Sequence, residues 1–174
     1  PDAASVRVAS EIASDWAVFA GNLMEGYDLE RAAIVFGSGK PLIRERAAEC
    51  DVRADRGWQS SGVRVEAGKI YEIAATGRFT LAREPRPWLS EPAGITFRYF
   101  DGRPLGELQA TVRGEIGRDG RGAESMLTVV PVGERGRFTP MIAGTLYLRL
   151  NDSWAELADN AGEARVVIRQ VGDR

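Results

Sequence analysis

The stretch GTLYLRLNDSWAELADNAGEARVVI, residues 144–168, contains two strand patterns on either side of a loop rich in oxygen ligands. Apolar residues recur at every second position before the loop and again after it, and this period predicts half-buried β-strands. The residues concerned are Leu146, Leu148 and Leu150, followed by Val166 and Ile168. A strand, a polar loop and a second strand therefore predict a mainly β fold.

The loop between these strands contains two pairs of Asx residues, Asn151-Asp152 and Asp159-Asn160, with Gly162 close behind. Calcium takes about six to eight oxygen ligands from carboxylates, amide carbonyls and main-chain carbonyls, so this loop has the side chains that a calcium site needs. Asn, Asp and Gly are also common in ordinary turns, because they tolerate left-handed backbone and hydrogen-bond to their own main chain. Both interpretations, a calcium site and a plain turn, remain open at this point.

Composition limits the function classes. The chain has 174 residues, 44% of them hydrophobic, and a net charge of -2 with no long block of either sign. This predicts a globular protein without an electrostatic surface for nucleic acid or an anionic membrane. The sequence contains no apolar run that approaches the length of roughly 20 residues needed to span a bilayer. Histidine is absent and Cys50 is the sole cysteine, which excludes imidazole catalysis, disulfides within the chain and His or Cys₄ zinc sites.

The N-terminal part of the chain differs from the rest. Its apolar residues fall near helical spacing, which predicts a helix followed by a shorter helical or irregular piece near residues 28–33. These apolar residues are Ile12, Trp16, Phe19, Leu23 and Met24. We expect residues 1–45 to form a partly helical extension.

From about residue 46 onward, short strand-like runs alternate with Gly, Pro and Asp, a pattern typical of a β-sandwich. The patterns predict strands near residues 47–53, 61–65, 69–76, 94–100, 107–113, 126–130, 145–150 and 164–171. Two interruptions stand out: the Pro-rich stretch 83–92, whose prolines exclude a central strand, and the Gly-rich stretch 114–124. The predicted fold is an antiparallel β-sandwich or jelly roll over residues 46–174, with an N-terminal helical extension.

Three segments together resemble a known family: GWQSSGVRVEAGKIYEIAATG from Gly57, GRPLGELQATV from Gly102, and residues 144–168. They are similar to the bacterial calcium-dependent, galactose-binding lectins, the LecA-like or PA-IL-like family, and to related galactose-binding-domain-like jelly rolls. The resemblance covers about residues 50–170. Its most specific part is the strand, the Asn-Asp pair, the loop, the second Asx pair and the closing strand.

The resemblance implies a calcium site with ligands from two parts of the chain. Asp152 matches the principal carboxylate, Asp159 and Asn160 match side-chain ligands, and Glu156 and Leu81 match positions that give main-chain carbonyls. The family has Asn where this chain has Asp159, and the extra negative charge favours a hard divalent cation.

The sugar half of the family's site is less well matched. In the lectins two sugar hydroxyls complete the calcium shell, assisted by a His and a Gln from the loop that corresponds to the Pro-rich stretch. This chain has no His, and other side chains are available there instead. The resemblance implies a ligand-binding set of Arg83, Trp88, Glu91, Asp152, Ser153 and Asp159. Trp88 offers a ring for a sugar face, although a Trp between prolines is equally suited to packing.

These observations predict a non-catalytic, calcium-dependent carbohydrate-binding module with a galactose-like ligand. The alternative is a structural or accessory β-sandwich domain of a larger bacterial protein that binds no sugar. A glycosidase using Glu84 and Glu91 is a third class, which the sequence supports least because it does not fix the separation of these carboxylates. A filled calcium site favours the extracellular space or the periplasm, with a neighbouring domain or a homo-oligomer as partner.

Overall fold

The structure, a computed structural model, describes residues 26, 28–43, 46–83, 86–114 and 128–173. The predicted helix over residues 12–24 and most of the Gly-rich stretch lie outside the described residues. No helix within the described part of the chain is both long enough and apolar enough to span a membrane.

The described residues form one short helix, thirteen strands and one 3₁₀ turn. In chain order these elements are α1 (Leu29–Ala32), β1 (Lys40–Pro41), β2 (Ala48–Arg53), β3 (Gln59–Val65), β4 (Lys69–Thr76), β5 (Phe79–Ala82), β6 (Trp88–Ser90), β7 (Ile95–Phe100), β8 (Arg103–Leu105), β9 (Leu108–Gly114), β10 (Val130–Pro131), β11 (Arg135–Phe138), β12 (Gly144–Leu150), the 3₁₀ turn η1 (Leu157–Asp159) and β13 (Glu163–Asp173). The prediction of a mainly β protein is confirmed.

Two larger sheets share one apolar core. Sheet A has five strands in the order β1-β3-β12-β9-β10, and sheet B has four strands in the order β11-β4-β13-β2. Two hairpins, β5-β6 and β7-β8, stand outside them. The core includes Leu146, Leu148 and Leu150 from sheet A and Val166 and Ile168 from sheet B, all nearly inaccessible to solvent. The period-2 apolar residues therefore face inward, as hydrophobic burial requires.

The strand pairing is antiparallel with one exception. β1 pairs in parallel with β3, with Lys40 opposite Val63. This parallel edge departs from the purely antiparallel sandwich that the sequence predicts. It follows from the N-terminal segment, which reaches the edge of sheet A and adds a short strand there.

Strand β12 is buried on both faces rather than half-buried, since all seven of its residues are shielded from solvent. The N-terminal segment covers part of its outer face, where the main-chain N–H of Gly39 donates to Thr145 Oγ1 at 2.9 Å and that of Gly37 donates to Tyr147 Oη at 3.1 Å. The ring of Phe36 meets Tyr147 edge-on at 6.4 Å. Residues 36–41 therefore pack directly against the sheet.

Helix α1 is also fixed to the β structure. Asp28 caps it by accepting from the main-chain N–H of Arg31 at 3.0 Å, and the Arg31 side chain reaches Asp55 at 2.7 Å. The main-chain N–H of Asp28 donates to the carbonyl of Trp154 at 3.1 Å. The described part of the predicted extension thus contains a four-residue helix, an irregular run and strand β1. A longer helical extension stays a prediction.

Each predicted strand corresponds to an observed one, and the differences concern one shortened strand and the strands that were not predicted. The strand expected over 126–130 is present as the two-residue β10, of which only Val130 falls in the predicted range. Strands β1, β5, β6, β8 and β11 were not predicted. The Pro-rich stretch contains β6, which pairs with β5 alone, so the exclusion of a central strand there holds.

Gly144 begins β12 at a point where two strands approach closely. A Cβ atom there would overlap the carbonyl oxygen of Arg113 and lie 2.7 Å from its carbonyl carbon. We expect Gly144→Ala to lower the free energy of unfolding by about 2 kcal/mol, because neither main chain can move aside without breaking ladder hydrogen bonds. Urea denaturation monitored by circular dichroism measures this.

The matched control for that substitution is Gly172→Ala in strand β13. A Cβ at Gly172 would meet only the tip of Ile70 at 3.8 Å, an ordinary contact. We expect a change within about 0.5 kcal/mol. Equal destabilisation by the two variants would contradict the close-approach explanation for Gly144.

Candidate functional site

The loop between β12 and β13 is held in place by contacts with strand β5. Thr80 and Ala161 exchange two main-chain hydrogen bonds, of 2.8 and 3.0 Å. Leu157, in the η1 turn of this loop, is buried. This docking brings the acidic loop, residues 151–162, alongside the hairpin formed by β5 and β6.

Asp152 and Asn160 form a buried polar pair within this loop. Their exposed fractions are 2% and 4%. Asn160 Nδ2 donates to Asp152 Oδ2 at 2.7 Å and to the carbonyl of Ala54 at 3.1 Å, while Asp152 Oδ1 accepts from the main-chain N–H of Ser153 at 2.8 Å. Asn160 Oδ1 is buried and has no hydrogen-bond partner in the described part of the chain. A buried acceptor without a donor is unfavourable, so this oxygen is a suitable ligand for a cation.

The electrostatics of Asp152 also favour a cation. Among the described residues, no Arg or Lys nitrogen lies within 4.0 Å of its carboxylate. Burial raises the pKa of Asp152 to about 6; Glu156 and Asp159 raise it too, while the hydrogen bonds from Asn160 and Ser153 lower it. A buried carboxylate without a cationic partner is costly, and a divalent cation would relieve that cost.

Other predicted calcium ligands lie around a neighbouring cleft. This cleft has a volume of about 320 Å³ and is lined by Leu81, Ala82, Trp88, Arg98, Leu105, Glu156 and Asp159. Leu81 lies where the pairing of β5 with β6 shifts register, between Thr80 and Ala82. The structure therefore brings Leu81, Trp88, Glu156 and Asp159 to one cleft, next to the buried Asp152-Asn160 pair.

The donor set is poor in carboxylates that converge on one point. Within the described ranges, no three His, Cys, Asp or Glu side chains gather closely enough to hold a metal ion by themselves. A cation here would depend on Asp152, on the free amide oxygen of Asn160 and on main-chain carbonyls. Such a mixed oxygen set fits calcium, whose coordination accepts carbonyl and amide oxygens.

Three predicted ligand-binding residues have other roles in the geometry. The main-chain N–H of Arg83 donates to Asp159 Oδ2 at 3.3 Å, which ties the Pro-rich stretch to the loop. Ser153 Oγ accepts from the main-chain N–H of Ala155 at 3.3 Å and shapes the turn. Glu91 pairs with Arg78 at 2.9 Å and lines a different cleft, so it is not brought to Trp88.

Arg98 is a cleft residue that the sequence analysis did not identify. Its guanidinium carbon lies 4.4 Å from the ring centroid of Trp88, and the ring of Phe97 is 6.0 Å away from the same indole. Arg98 belongs to β7, where all six positions are partly or fully exposed and show no inward-outward alternation. The sequence pattern of β7 therefore carried no signal that Arg98 would reach Trp88.

These features define a lectin-like β fold with an acidic loop beside a small cleft. Among solved structures, the chain is similar to the N-terminal domain of EclA, a PllA-like lectin, with 28% sequence identity and a TM-score of 0.53. The match covers 71% of this chain and 95% of that chain. The lectin-like part of the sequence-based resemblance is thereby supported.

A second solved structure, PliG of Aeromonas hydrophila, a periplasmic lysozyme inhibitor of g-type lysozyme, matches with 7% identity and a TM-score of 0.38. That match covers 79% of this chain and 97% of the inhibitor, and a likeness at this level supports no inference about function. No protein-family model matches the sequence, and no curated protein matches it.

Proposed function

We propose that this chain is a non-catalytic, calcium-dependent carbohydrate-binding module with a jelly-roll fold. The observation that carries the proposal is the buried pair of Asp152 and Asn160, in which a carboxylate without a cationic partner lies beside an amide with an unpartnered oxygen. The similarity to a PllA-like lectin supports a carbohydrate ligand. It also supports a binding domain rather than an enzyme.

In the proposed mechanism, Asp152 and Asn160 would hold the cation, with Asp159 and the carbonyls of Leu81 and Glu156 as the protein's other ligands. A cation held there would be a hard Lewis acid for two neighbouring sugar hydroxyls. The adjoining cleft receives the rest of the sugar ring. Trp88 offers an apolar surface there, and Arg98 offers donors for hydroxyl groups in the place of the His and Gln that the resembled family uses.

The alternative function is a structural or accessory domain that binds no sugar. One observation favours it: the Arg98 guanidinium already lies over the indole of Trp88, so this ring has a partner without a ligand. Calcium binding without glycan binding would support the alternative. In both cases we propose a bacterial protein of the extracellular space or the periplasm, acting with a neighbouring domain or as a homo-oligomer.

The sugar proposal is tested with the metal-stripped chain, titrated first with calcium and then with methyl galactoside. We expect galactoside binding in calcium and none after chelation. Trp88→Ala should weaken sugar binding about fivefold, since stacking on an aromatic ring contributes about 1 kcal/mol. Calcium affinity should be unchanged in this variant, because Trp88 supplies no oxygen ligand.

Leu89→Ala is the matched control, since Leu89 neighbours Trp88 in β6 but is 56% exposed. We expect it to bind the galactoside as the wild type does. A calcium-saturated protein that binds no sugar on a broad glycan array would replace the lectin proposal with the structural alternative. Failure to bind calcium would remove the proposed site itself.

A further inference from the structure

A second cleft lies on the outer face of sheet A, and its lining includes Trp154 of the acidic loop. Its volume is about 860 Å³, within the range of small-molecule sites. The residues that matter in it are Trp58, Asp101, Arg103, Gln109, Arg149 and Trp154. None of these residues lines the smaller cleft of Trp88.

Arg149 is a buried cation at the base of this cleft, with 6% of its surface exposed. Its hydrogen bonds go to neutral groups: Nε donates to Gln109 Oε1 at 3.0 Å and Nη2 donates to Asn151 Oδ1 at 2.8 Å. In the described residues, no carboxylate lies within 4.0 Å of the guanidinium. Burial lowers the pKa of Arg149 to about 10, although Asp101 and Asp152 act in the opposite direction. Buried charges in proteins are ordinarily paired, so this guanidinium has capacity for an anion.

Two indole rings frame this guanidinium. Its central carbon lies 4.4 Å from the ring centroid of Trp154 and 5.3 Å from that of Trp58. These cation-π contacts offset part of the cost of burial and hold the planar group in one orientation. Nη1 of Arg149 has no hydrogen-bond acceptor among the described residues, which leaves donors for a ligand.

The cleft has a second cation, Arg103, whose Nη2 donates to the carbonyl of Val129 at 3.3 Å. The one carboxylate in the lining, Asp101, is exposed, whereas Arg103 is half-buried and Arg149 is buried. Among the lining residues the shielded charge is therefore positive, while Glu107 acts on Arg103 and Asp152 acts on Arg149 from outside the lining. Two guanidiniums beside aromatic rings suit a carboxylate attached to a small, partly apolar body.

We propose that this second cleft binds the carboxylate of a small ligand, through Arg149 and Arg103, with Trp154 and Trp58 against the body of the ligand. Two classes of ligand carry such a carboxylate: an acidic sugar and the C-terminal end of a peptide. The two clefts have no lining residue in common, and no proposed calcium ligand contacts the carboxylate, although Asp152 acts on the pKa of Arg149 from the acidic loop.

The experiment is an NMR titration of the ¹⁵N-labelled full chain, following the indole N–H signals. The probes are sodium glucuronate, N-acetylalanine and, as the neutral match, glucose, at constant ionic strength. Chelator is removed by dialysis beforehand, because common chelators are themselves carboxylates. We expect glucuronate or N-acetylalanine to shift the signals of Trp58 and Trp154, but not that of Trp88, with at least tenfold higher affinity than glucose. The acid that binds with the higher affinity identifies the ligand class. Equal affinities mean that the cleft recognises the carboxylate alone.

Arg149→Met and Arg103→Met test the two donors, and Arg137→Met is the control, since Arg137 is an exposed arginine of β11 in sheet B that lines neither cleft. We expect about tenfold weaker binding in each of the first two variants and no change in the third. If Arg149→Met does not fold, Arg103→Met decides, because its partly exposed side chain makes one hydrogen bond, a long one. The proposal is overturned if neither acid binds, if glucose binds as tightly, if only Trp88 responds, or if the folded cleft variants bind like the wild type.

Discussion

We expect Leu148→Ala to lower the free energy of unfolding by about 3 kcal/mol, within the range measured for truncating buried leucines. Leu148 is fully buried in β12, the central strand of sheet A, where it is paired on both sides by β3 and β9. Removing its side chain leaves a cavity that the paired main chains on either side cannot close. Urea denaturation followed by circular dichroism gives the change directly, and the midpoint should fall without a change in slope.

Leu89→Ala removes the same atoms from a leucine that is 56% exposed. We expect an effect within about 0.5 kcal/mol, because most of that side chain already contacts water. Similar losses in the two leucine variants would show that β12 does not lie in the shared core. A lower slope in Leu148→Ala would instead indicate that the two sheets no longer unfold together.

The strands that the sequence predicted well are those with one apolar face. β4 was predicted over 69–76 and extends over Lys69–Thr76, and Tyr71, Ile73 and Ala75 form its buried side. Hairpin strands β5 and β6 have four and three residues, too few for a period to be recognised. Their pairing depends on the acidic loop that docks against them, and that contact is long-range.

The alternating apolar pattern of β12 predicts a strand with one buried face, but both of its faces are buried. The outer face shows the reason. Thr145, Tyr147 and Arg149 alternate with the core leucines, and such positions normally face water. Here residues 36–41 cover the first two, and the rings of Trp58 and Trp154 cover the third. The covering groups come from distant parts of the sequence, so no local pattern in β12 predicts them.

The candidate calcium site was predicted from the resemblance, and the outcome differs among its residues. Asp152 and Asn160 lie in one loop, which joins β12 of sheet A to β13 of sheet B, and a direct hydrogen bond from Asn160 Nδ2 to Asp152 Oδ2 holds them together. Trp88 and Glu91 are close in sequence, but Glu91 follows the end of β6 and pairs with Arg78. Side-chain direction after a strand end depends on the turn, which the sequence pattern did not specify.

We expect the stability of the wild-type protein in calcium-free solution to depend on pH through Asp152, and Asp152→Asn to remove that dependence. Burial raises the pKa of this carboxyl from 3.8 to about 6 in the folded state. The folded protein therefore holds the proton more tightly than the unfolded chain. The resulting stabilisation is fully present below pH 3.8 and is lost as the pH rises through about 6. This difference in pKa corresponds to about 3 kcal/mol.

The measurement is urea denaturation of both proteins after metal removal, at several values from about pH 4 to about pH 7. Other titrating groups contribute nearly equally to both, so the difference between the two curves isolates Asp152. Asn keeps the size of the side chain and an acceptor for the main-chain N–H of Ser153. Glu91→Gln serves as the control for loss of a charge, since Glu91 is exposed and lines a different cleft.

In calcium, the free energy of unfolding of the wild-type protein should rise with pH instead of falling. A bound cation favours the ionised carboxylate of Asp152 and lowers its pKa. At about 100 times the dissociation constant, calcium should add about 2.7 kcal/mol to the free energy of unfolding. In a protein of this size that corresponds to roughly 5–10 °C in Tm. Asp152→Asn should show little of this gain, since it removes the charge that holds the ion.

The two readouts separate the burial of Asp152 from its proposed role. A pH dependence that Asp152→Asn abolishes, without any response to calcium, would establish a buried carboxylate that merely orders the loop. Equal stabilisation of wild type and Asp152→Asn by calcium would place the ion elsewhere and refute the assigned ligands. If this loop is a cation site, we expect both results together: a pH dependence in the absence of calcium, and a stabilisation by calcium that requires Asp152. Both effects then arise from the same buried carboxylate, which has no salt-bridge partner.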